Sequence, residues 1–410
     1  MKFSDVIGHA EIKDKLSALI GERKLPHALM LLSPEGSGGL PMALAIAQNL
    51  VCEKRSGKKQ EEDLFAAPAL FGDAPAPSEQ LELTDACGQC SACQKAEKFI
   101  HPDIHFTFPV VLRKSGTVPV SADWIVEWRK ALTENPYLNV QDWLQQIGAE
   151  NRQGNITIKE CHEITRRMTL KNYEAATKVQ IIWLAEYLKE AGNSLLKIIE
   201  EPPADTVFIL VVENIEQILN TIISRTQIVK LQGIEDEALS AYLQKKYETD
   251  ASTALRIARF SDGNLNAALE YAQGAEHPHD ALLREWLSLC LRIKGSQAAE
   301  TSVKLIEFVE GIAKIGRENQ KIFLKYFLWF LREASILSLG ISSEKLEGTE
   351  LEFAKKLATV LTIETTEKLQ DVINSLHYAI ERNGNPKVLF ISNSFKIAAA
   401  LRKEKVASSM

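Results

Sequence analysis

The stretch from Ala28 to Leu50 constrains this chain more than any other. Ala28-Leu29-Met30-Leu31-Leu32 is an apolar run, Ser33-Pro34-Glu35-Gly36-Ser37-Gly38-Gly39-Leu40-Pro41 is a glycine-rich turn, and Met42 to Leu50 reads as a helix. A buried strand passing through such a turn into a helix is the frame of the G-x-x-x-x-G-K-[ST] phosphate-binding loop. That loop needs a lysine for the β/γ-phosphates and a hydroxyl for Mg²⁺. Here Ser33 stands at the first glycine, Gly39 at the lysine and Leu40 at the hydroxyl. The frame survives without its chemistry, which predicts an NTPase fold that no longer hydrolyses nucleotide. A glycine turn that never held phosphate is the bland alternative. Backbone amides over Gly36–Gly39 could still hold an anion, although Pro41 removes one donor.

The rest of the chain fits such a fold. Short apolar strands are expected at 103–108, 179–184, 207–212 and 228–231. The run Val207-Phe208-Ile209-Leu210-Val211-Val212 has the pattern of a strand buried on both faces. Strands alternating with helices (Ala10–Gly21, Ala191–Glu201) through residue 232 argue for a parallel α/β sheet. Two segments interrupt it. Residues 53–86 are Lys/Glu-rich and then Ala/Pro-rich, including Ala74-Pro75-Ala76-Pro77, and read as a solvated excursion; residues 113–152 are a polar insertion with a helix near 121–132. Beyond 233 only helical patterns remain. At 410 residues, two or three domains are expected, and the simplest partition is 1–232, 233–275 and, after His277-Pro278-His279, 281–402.

Composition narrows the class. A net charge of −6 disfavours an isolated, strongly DNA-binding module. The start, Met1-Lys2-Phe3-Ser4-Asp5, lacks a signal-peptide core, and no uncharged stretch nears the roughly 18 residues a bilayer span needs. A cytoplasmic protein with no membrane partner is the expectation.

Two further constellations carry chemistry. After a buried strand an NTPase places an Asp for Mg²⁺ and often a Glu for the attacking water. Here Trp183 and Leu184 follow Gln180-Ile181-Ile182, and Glu186, two residues on, reads as a surface or helix-start residue. Two defective motifs in the right order favour a relic ATPase over a chance turn. The second constellation is Cys87-x-x-Cys90-x-x-Cys93, with Cys52 at the end of the preceding helix. Four thiolates suit a closed, structural Zn²⁺ site, and clustered cysteines in a reducing compartment point to metal rather than disulfides. An iron–sulfur cluster competes, although the C-x₃-C-P continuation is missing. Three free thiols, or His101 or His105 in place of Cys52, are the other readings. Cys161 and Cys290 read as packed small hydrophobes.

Phe3-Ser4-Asp5-Val6-Ile7-Gly8-His9, Leu25-Pro26-His27-Ala28, Gly192-Asn193-Ser194-Leu195-Leu196-Lys197-Ile198-Ile199-Glu200-Glu201-Pro202-Pro203 and Ile222-Ile223-Ser224-Arg225-Thr226-Gln227 together resemble the clamp-loader branch of the AAA+ proteins. With the loop lysine and the acids after the strand missing, the nearest group is the delta-prime subunits of bacterial DNA polymerase III rather than their gamma/tau ATPase relatives. The resemblance covers 1–232 well, weakens over 233–275 and is architectural beyond. It implies an AAA+ α/β core with a degenerate P-loop, a zinc module within 52–93, a helical lid (233–275) and an all-α collar (281–402) used in oligomerisation. It also implies no functional ATP site and no enzyme activity alone, in a subunit of a DNA-directed DNA polymerase complex that helps load a sliding clamp in DNA replication. The implied partners are gamma/tau and delta subunits, the sliding clamp, and primer–template DNA through the assembly. The family carries Ser-Arg-Cys at 224–226, its arginine entering the neighbouring subunit's ATP site, so Arg225, between Ser224 and Thr226, is the implied trans arginine finger. Its bland alternative is a helix end or a local ion pair. An active gamma/tau-like ATPase with a divergent loop and a free-standing zinc-dependent nucleic-acid-binding protein are the rival functions.

Overall fold

The computed structural model describes residues 1–56, 84–113, 116–149, 152–273, 279–293, 298–343, 345–346, 348–382 and 384–401. Most of the 53–86 excursion, the His277-Pro278 link and Asn383 lie outside the described residues. The chain divides into two compact units, Met1–Ala267 and Ala268–Met410.

The first unit is built on five parallel strands: β1 (Ala28–Leu32), β2 (Ile104–Thr107), β3 (Lys178–Trp183), β4 (Thr206–Val212) and β5 (Gln227–Lys230), in the order β2-β3-β4-β1-β5. The expected strands are therefore all present, within a residue or so of their expected ends. β3 and β4 are buried along their whole length, as apolar runs without alternation require. Leu29, Leu31, Ile181, Trp183, Ile209 and Val211 feed the core on one face, and Met30, Ile182, Phe208, Leu210 and Val212 feed the other. The polar Gln180 is tolerated inside because its Nε2 donates to Thr107 Oγ1 at 3.1 Å and to Ile181 O at 3.0 Å.

Leaving β1, the chain crosses to β2 at the far edge and works back through β3 and β4. The carboxyl ends of β1, β3 and β4 thus lie together where the strand order reverses, the place where open α/β sheets bind ligands. The glycine turn leaves β1 there and enters the helix Gly39–Val51.

The 113–152 insertion is part of the core rather than a surface addition. It holds a 3₁₀ turn Ser121–Trp124 running into the helix Ile125–Glu134, and a second helix, Val140–Gln146, that sequence patterning did not suggest. Trp128 and Trp143 are fully buried, and Trp128 stacks on Phe108 with centroids 4.1 Å apart. Buried Glu160 anchors the insertion's entry, accepting from Thr107 Oγ1 (2.9 Å), Ser121 N (2.7 Å) and Arg167 Nη2 (2.6 Å).

The expected helix Ala191–Glu201 is replaced by a 3₁₀ segment, Ala185–Leu195, kinked at Lys189, followed by a short helix Leu196–Glu200. Asn193 Nδ2 and Ser194 Oγ donate to Glu190 O and Ala191 O. Side chains that bond the local backbone in this way compete with α-helix formation.

The second unit is helical throughout its described residues, from His279–Arg292 to Pro386–Ala400. Trp286 packs edge-on against Phe327 and beside Phe323 and Phe390, and its Nε1 donates to Ser394 Oγ at 2.8 Å. The run Phe323–Leu331, apolar nearly all round, is mostly buried, as that pattern requires. Asn385 caps the last helix by accepting from Lys387 N at 3.1 Å. Among the described residues no helix is long and apolar enough to cross a membrane.

Candidate functional site

The glycine turn, where a phosphate loop is expected from the sequence, is closely packed. Gly38, at φ +102°, precedes the helix Gly39–Val51. A Cβ placed on Gly39 would lie 2.0 Å from Ser33 Oγ and 3.1 Å from Val211 Cγ1. A side chain there would need Ser33 to turn its hydroxyl away and Val211 to give way. Ser33, at the place of the first loop glycine, is the obstruction. The cavity left at the turn, bounded by Gly36–Pro41, Tyr137, Leu138, Trp183 and Glu213, has a volume of about 20 Å³. That suits about one water molecule, against roughly 300–1,000 Å³ for a typical ligand pocket.

The metal side of the site is equally altered. Trp183, at the place of the Mg²⁺-binding acid, is 2% exposed and tilts onto Trp128 with centroids 5.1 Å apart. Leu184 is buried in a left-handed conformation at φ +54°. Glu186 corrects its expected surface placement. It starts the 3₁₀ segment but is only 6% exposed, and its Oε1 accepts from Glu213 N at 3.1 Å. Those amides follow β4, so the carboxylate turns inward to satisfy them.

Glu213 itself lines the small cavity. Burial, with the nearby charges of Glu35 and Glu186, pushes its carboxyl up to about 8. The folded chain therefore binds a proton here that the unfolded chain releases near its ordinary pKa of about 4.3. Stability contributed by the neutral acid is complete below that pH and is lost as pH rises to about 8. Thermal melts between about pH 5 and pH 8 should show this decline in the wild type. Glu213→Gln should flatten it and raise the melting temperature at the alkaline end, and parallel curves would refute the assignment.

The four cysteines converge. Cys52 follows the helix Gly39–Val51, while Cys87, Cys90 and Cys93 come from the turn and start of the helix Ser91–Glu97. Their sulfurs all lie within 4.8 Å of one another, with Cys87 and Cys93 3.9 Å apart. Tetrahedral ligands at about 2.3 Å place sulfurs roughly 3.8 Å apart, so the donor set fits such a metal. Backbone N–H groups of Cys87, Cys90 and Cys93 point at the sulfurs of Cys52, Cys87 and Cys90 at 3.4 Å. These outer contacts favour thiolates and orient them. The Cys93 hydrogen bond holds Cys52 down at about 4, and the same bond, with burial, holds Cys93 above its usual value. The cluster can hold a metal ion such as zinc. His101 and His105 are not among its donors. His101 Nε2 lies 3.2 Å from Glu174 Oε1, and His105 sits on β2. Cys161 and Cys290 are buried elsewhere.

Arg225 lies just beyond the short helix Asn220–Ile223, with its side chain 32% exposed. Its Nε donates to Glu200 Oε2 at 2.8 Å and its Nη1 to Thr221 O at 3.1 Å. Ser224 Oγ donates to Thr221 O and Thr226 Oγ1 to Ile222 O, each at 3.2 Å. The bland alternative, a local ion pair, is thus what the isolated chain displays. Glu200 belongs to the Glu-Glu-Pro-Pro stretch, so two of the sequence motifs meet in this pair.

Residues that sequence reasoning passed over complete the site. Tyr137, from the insertion, and Asn264, between the helices Ala251–Ser261 and Leu265–Gln273, both press on the glycine turn. Asn135-Pro136-Tyr137 lies in the polar insertion, beyond its expected helix. Nothing in its local pattern tied it to residue 38.

Residues 69–235 match a family model described as DNA polymerase III, delta subunit. The chain is 23% identical to the DNA polymerase III subunit delta' of Escherichia coli over 264 residues, 64% of this chain and 59% of that protein. With subunit delta' of Bacillus subtilis it shares 23% over 258 residues, 63% and 57% of the two chains. It thus spans less than two thirds of the length of these two relatives. Subunit tau of Bacillus subtilis is 22% identical over 95% of this chain and 60% of its own. A solved DNA polymerase III gamma subunit-related protein from Thermotoga maritima superposes with a TM-score of 0.39 at 14% identity, covering 95% of this chain and 99% of its own. The resemblance to DNA polymerase III subunits therefore embraces delta' and gamma/tau alike.

Proposed function

We propose that this relative of the DNA polymerase III clamp-loader subunits is a delta-prime-type subunit that hydrolyses no ATP itself. It supports its partners' ATP-driven loading of a sliding clamp on primed DNA. The observation that carries this reading is the closed glycine turn: Gly39 packs against Ser33 and Val211, and buried Trp183 lines the small cavity beside it. In the reading, residues 1–232 are an AAA+ core, 233–275 its lid, and 281–402 a collar that assembles with gamma/tau and delta subunits. The four-cysteine cluster is a structural zinc site, holding the turn at Cys87–Cys93 to the end of the helix Gly39–Val51.

Arg225 is the chain's contribution to catalysis. A guanidinium reaching a neighbour's γ-phosphate stabilises charge that develops in phosphoryl transfer. Its partner in the free chain is the exposed Glu200 carboxylate, and exposed ion pairs are worth only about 0–1 kcal/mol. Exchanging Glu200 for a phosphate thus costs little. DNA contact would fall mainly on backbone phosphates through the assembly, consistent with an acidic chain supplying part of the surface. Kinship with gamma and tau subunits favours a second reading, an active ATPase with a divergent loop. ATP turnover by the purified chain separates the two. Silence alone, together with turnover by the reconstituted loader that depends on Arg225, supports the first; steady turnover alone establishes the second.

A further inference from the structure

We propose that Tyr137 is a built-in occupant of the nucleotide cleft, its ring and hydroxyl closing the space beside the glycine turn that a nucleotide would need. The side chain is 5% exposed. Its Cε1 lies 3.3 Å from where a Gly38 Cβ would stand, so the ring lies directly against the turn. Its hydroxyl accepts from Ile7 N at 2.8 Å, using up a backbone donor at the cleft wall. Burial raises the phenol above its usual range, and Tyr137 and Glu213 both line the small cavity.

The plug is held from both sides. Tyr137 N donates to Asn135 Oδ1 at 2.9 Å, Asn266 Nδ2 donates to Tyr137 O at 2.6 Å, and Asn135 Nδ2 donates to Asn266 Oδ1 at 3.1 Å. The turn is fastened in parallel: Leu265 N donates to Gly36 O at 3.0 Å, and His9 Nε2 to Ser37 O at 2.7 Å. Trp183 supplies the anchor. By packing tilted against Trp128 it ties the insertion that carries Tyr137 to the strand end where a metal-binding acid would stand. One substitution thus removes a Mg²⁺ ligand and secures the segment that fills the vacated space.

Tyr137 and its asparagines thereby join the insertion to the segment after residue 233 with the protein's own groups. The inference rests on reading the turn as a former phosphate site, and it accounts for the 113–152 insertion, for which sequence offered no role.

Hydrogen exchange and thermal melts on the full chain test it, with Tyr137→Phe as the conservative variant. The phenylalanine keeps the ring and loses only the bond to Ile7. Wild type should show a protected Ile7 amide and an unchanged melting temperature in millimolar Mg·ATP or Mg·ADP. In Tyr137→Phe the Ile7 amide should exchange about fivefold faster, and Tyr137→Ala should speed exchange across 35–39 as well. A melting temperature of the wild type that climbs with nucleotide concentration, as binding to the native state requires, would overturn the plug. So would unchanged Ile7 exchange in Tyr137→Phe. Nucleotide binding without turnover would sink this inference and leave the trans role of Arg225 standing, because that role is read from the assembled loader's hydrolysis.

Discussion

Arg225→Ala is expected to slow hydrolysis at the ATP site beside this chain by about 10³-fold in a reconstituted clamp loader, with clamp and primed DNA present. Trans arginines in GTPases are worth ~10³–10⁵ in rate, and the lower figure corresponds to about 4 kcal/mol of transition-state stabilisation. The effect belongs in single-turnover rates, because sites without this neighbour keep their own speed. The variant should fold normally: the side chain is one-third exposed and its carboxylate partner more than half exposed, where substitutions usually cost within about 0.5 kcal/mol. Arg225→Lys should not restore the rate, since a lysine lacks the planar fork of donors. Glu200→Gln frees the guanidinium and should leave the rate intact or raise it. Equal rates for wild type and Arg225→Ala would reduce the residue to the helix-end contact seen with Glu200 and Thr221.

The second large effect is predicted at the cysteine cluster. The purified chain should carry one zinc ion, and Cys93→Ser should lose it and melt about 8–16 °C lower. Structural zinc binding in small peptides is worth about 10–16 kcal/mol. A third of that, roughly 4 kcal/mol, lowers the melting point of a domain this size by about 8–16 °C at 2–4 °C per kcal/mol. The loss should be local first. Asp85, just before the cluster, accepts from Phe3 N, Ser4 N and Asn49 Nδ2, so loosening the turn releases the N-terminal segment from the helix Gly39–Val51. Cys161→Ser, away from the cluster, should keep the metal. Metal analysis and melting of both variants settle it; full stability of metal-free protein would reduce the cluster to packed thiols.

Much of the fold could be read without coordinates because the sheet is buried on both faces. Val207–Val212 is apolar at every position and Val179–Trp183 at all but Gln180, a pattern that short strands in a parallel sheet require and that few alternatives satisfy. The cysteine set was legible for a different reason: three ligands lie in one turn, so spacing alone brings them together. Glu186 was misplaced because a carboxylate's burial depends on which amides lie within reach, and those belong to residues 213 and 214. Gly192-Asn193-Ser194 was read as helix because periodicity outweighed the local hydrogen bonding that tightened it into a 3₁₀ segment. Tyr137 was missed because its partners, Ile7, Gly38 and Asn266, are separated from it by about a hundred residues or more.

By itself the sequence determined which chemistry is missing and which is possible: Gly39 and Leu40 in place of lysine and hydroxyl, Trp183 in place of an acid, four thiols and one arginine in a recognisable motif. Side-chain type alone decides those points. Tertiary structure decided what fills the space so released, where Arg225 rests, and which carboxyls are held neutral. Those depend on distances between groups far apart in the chain, which only the closing of the sheet, the packing of Trp128 against Trp183 and the meeting of Arg225 with Glu200 set.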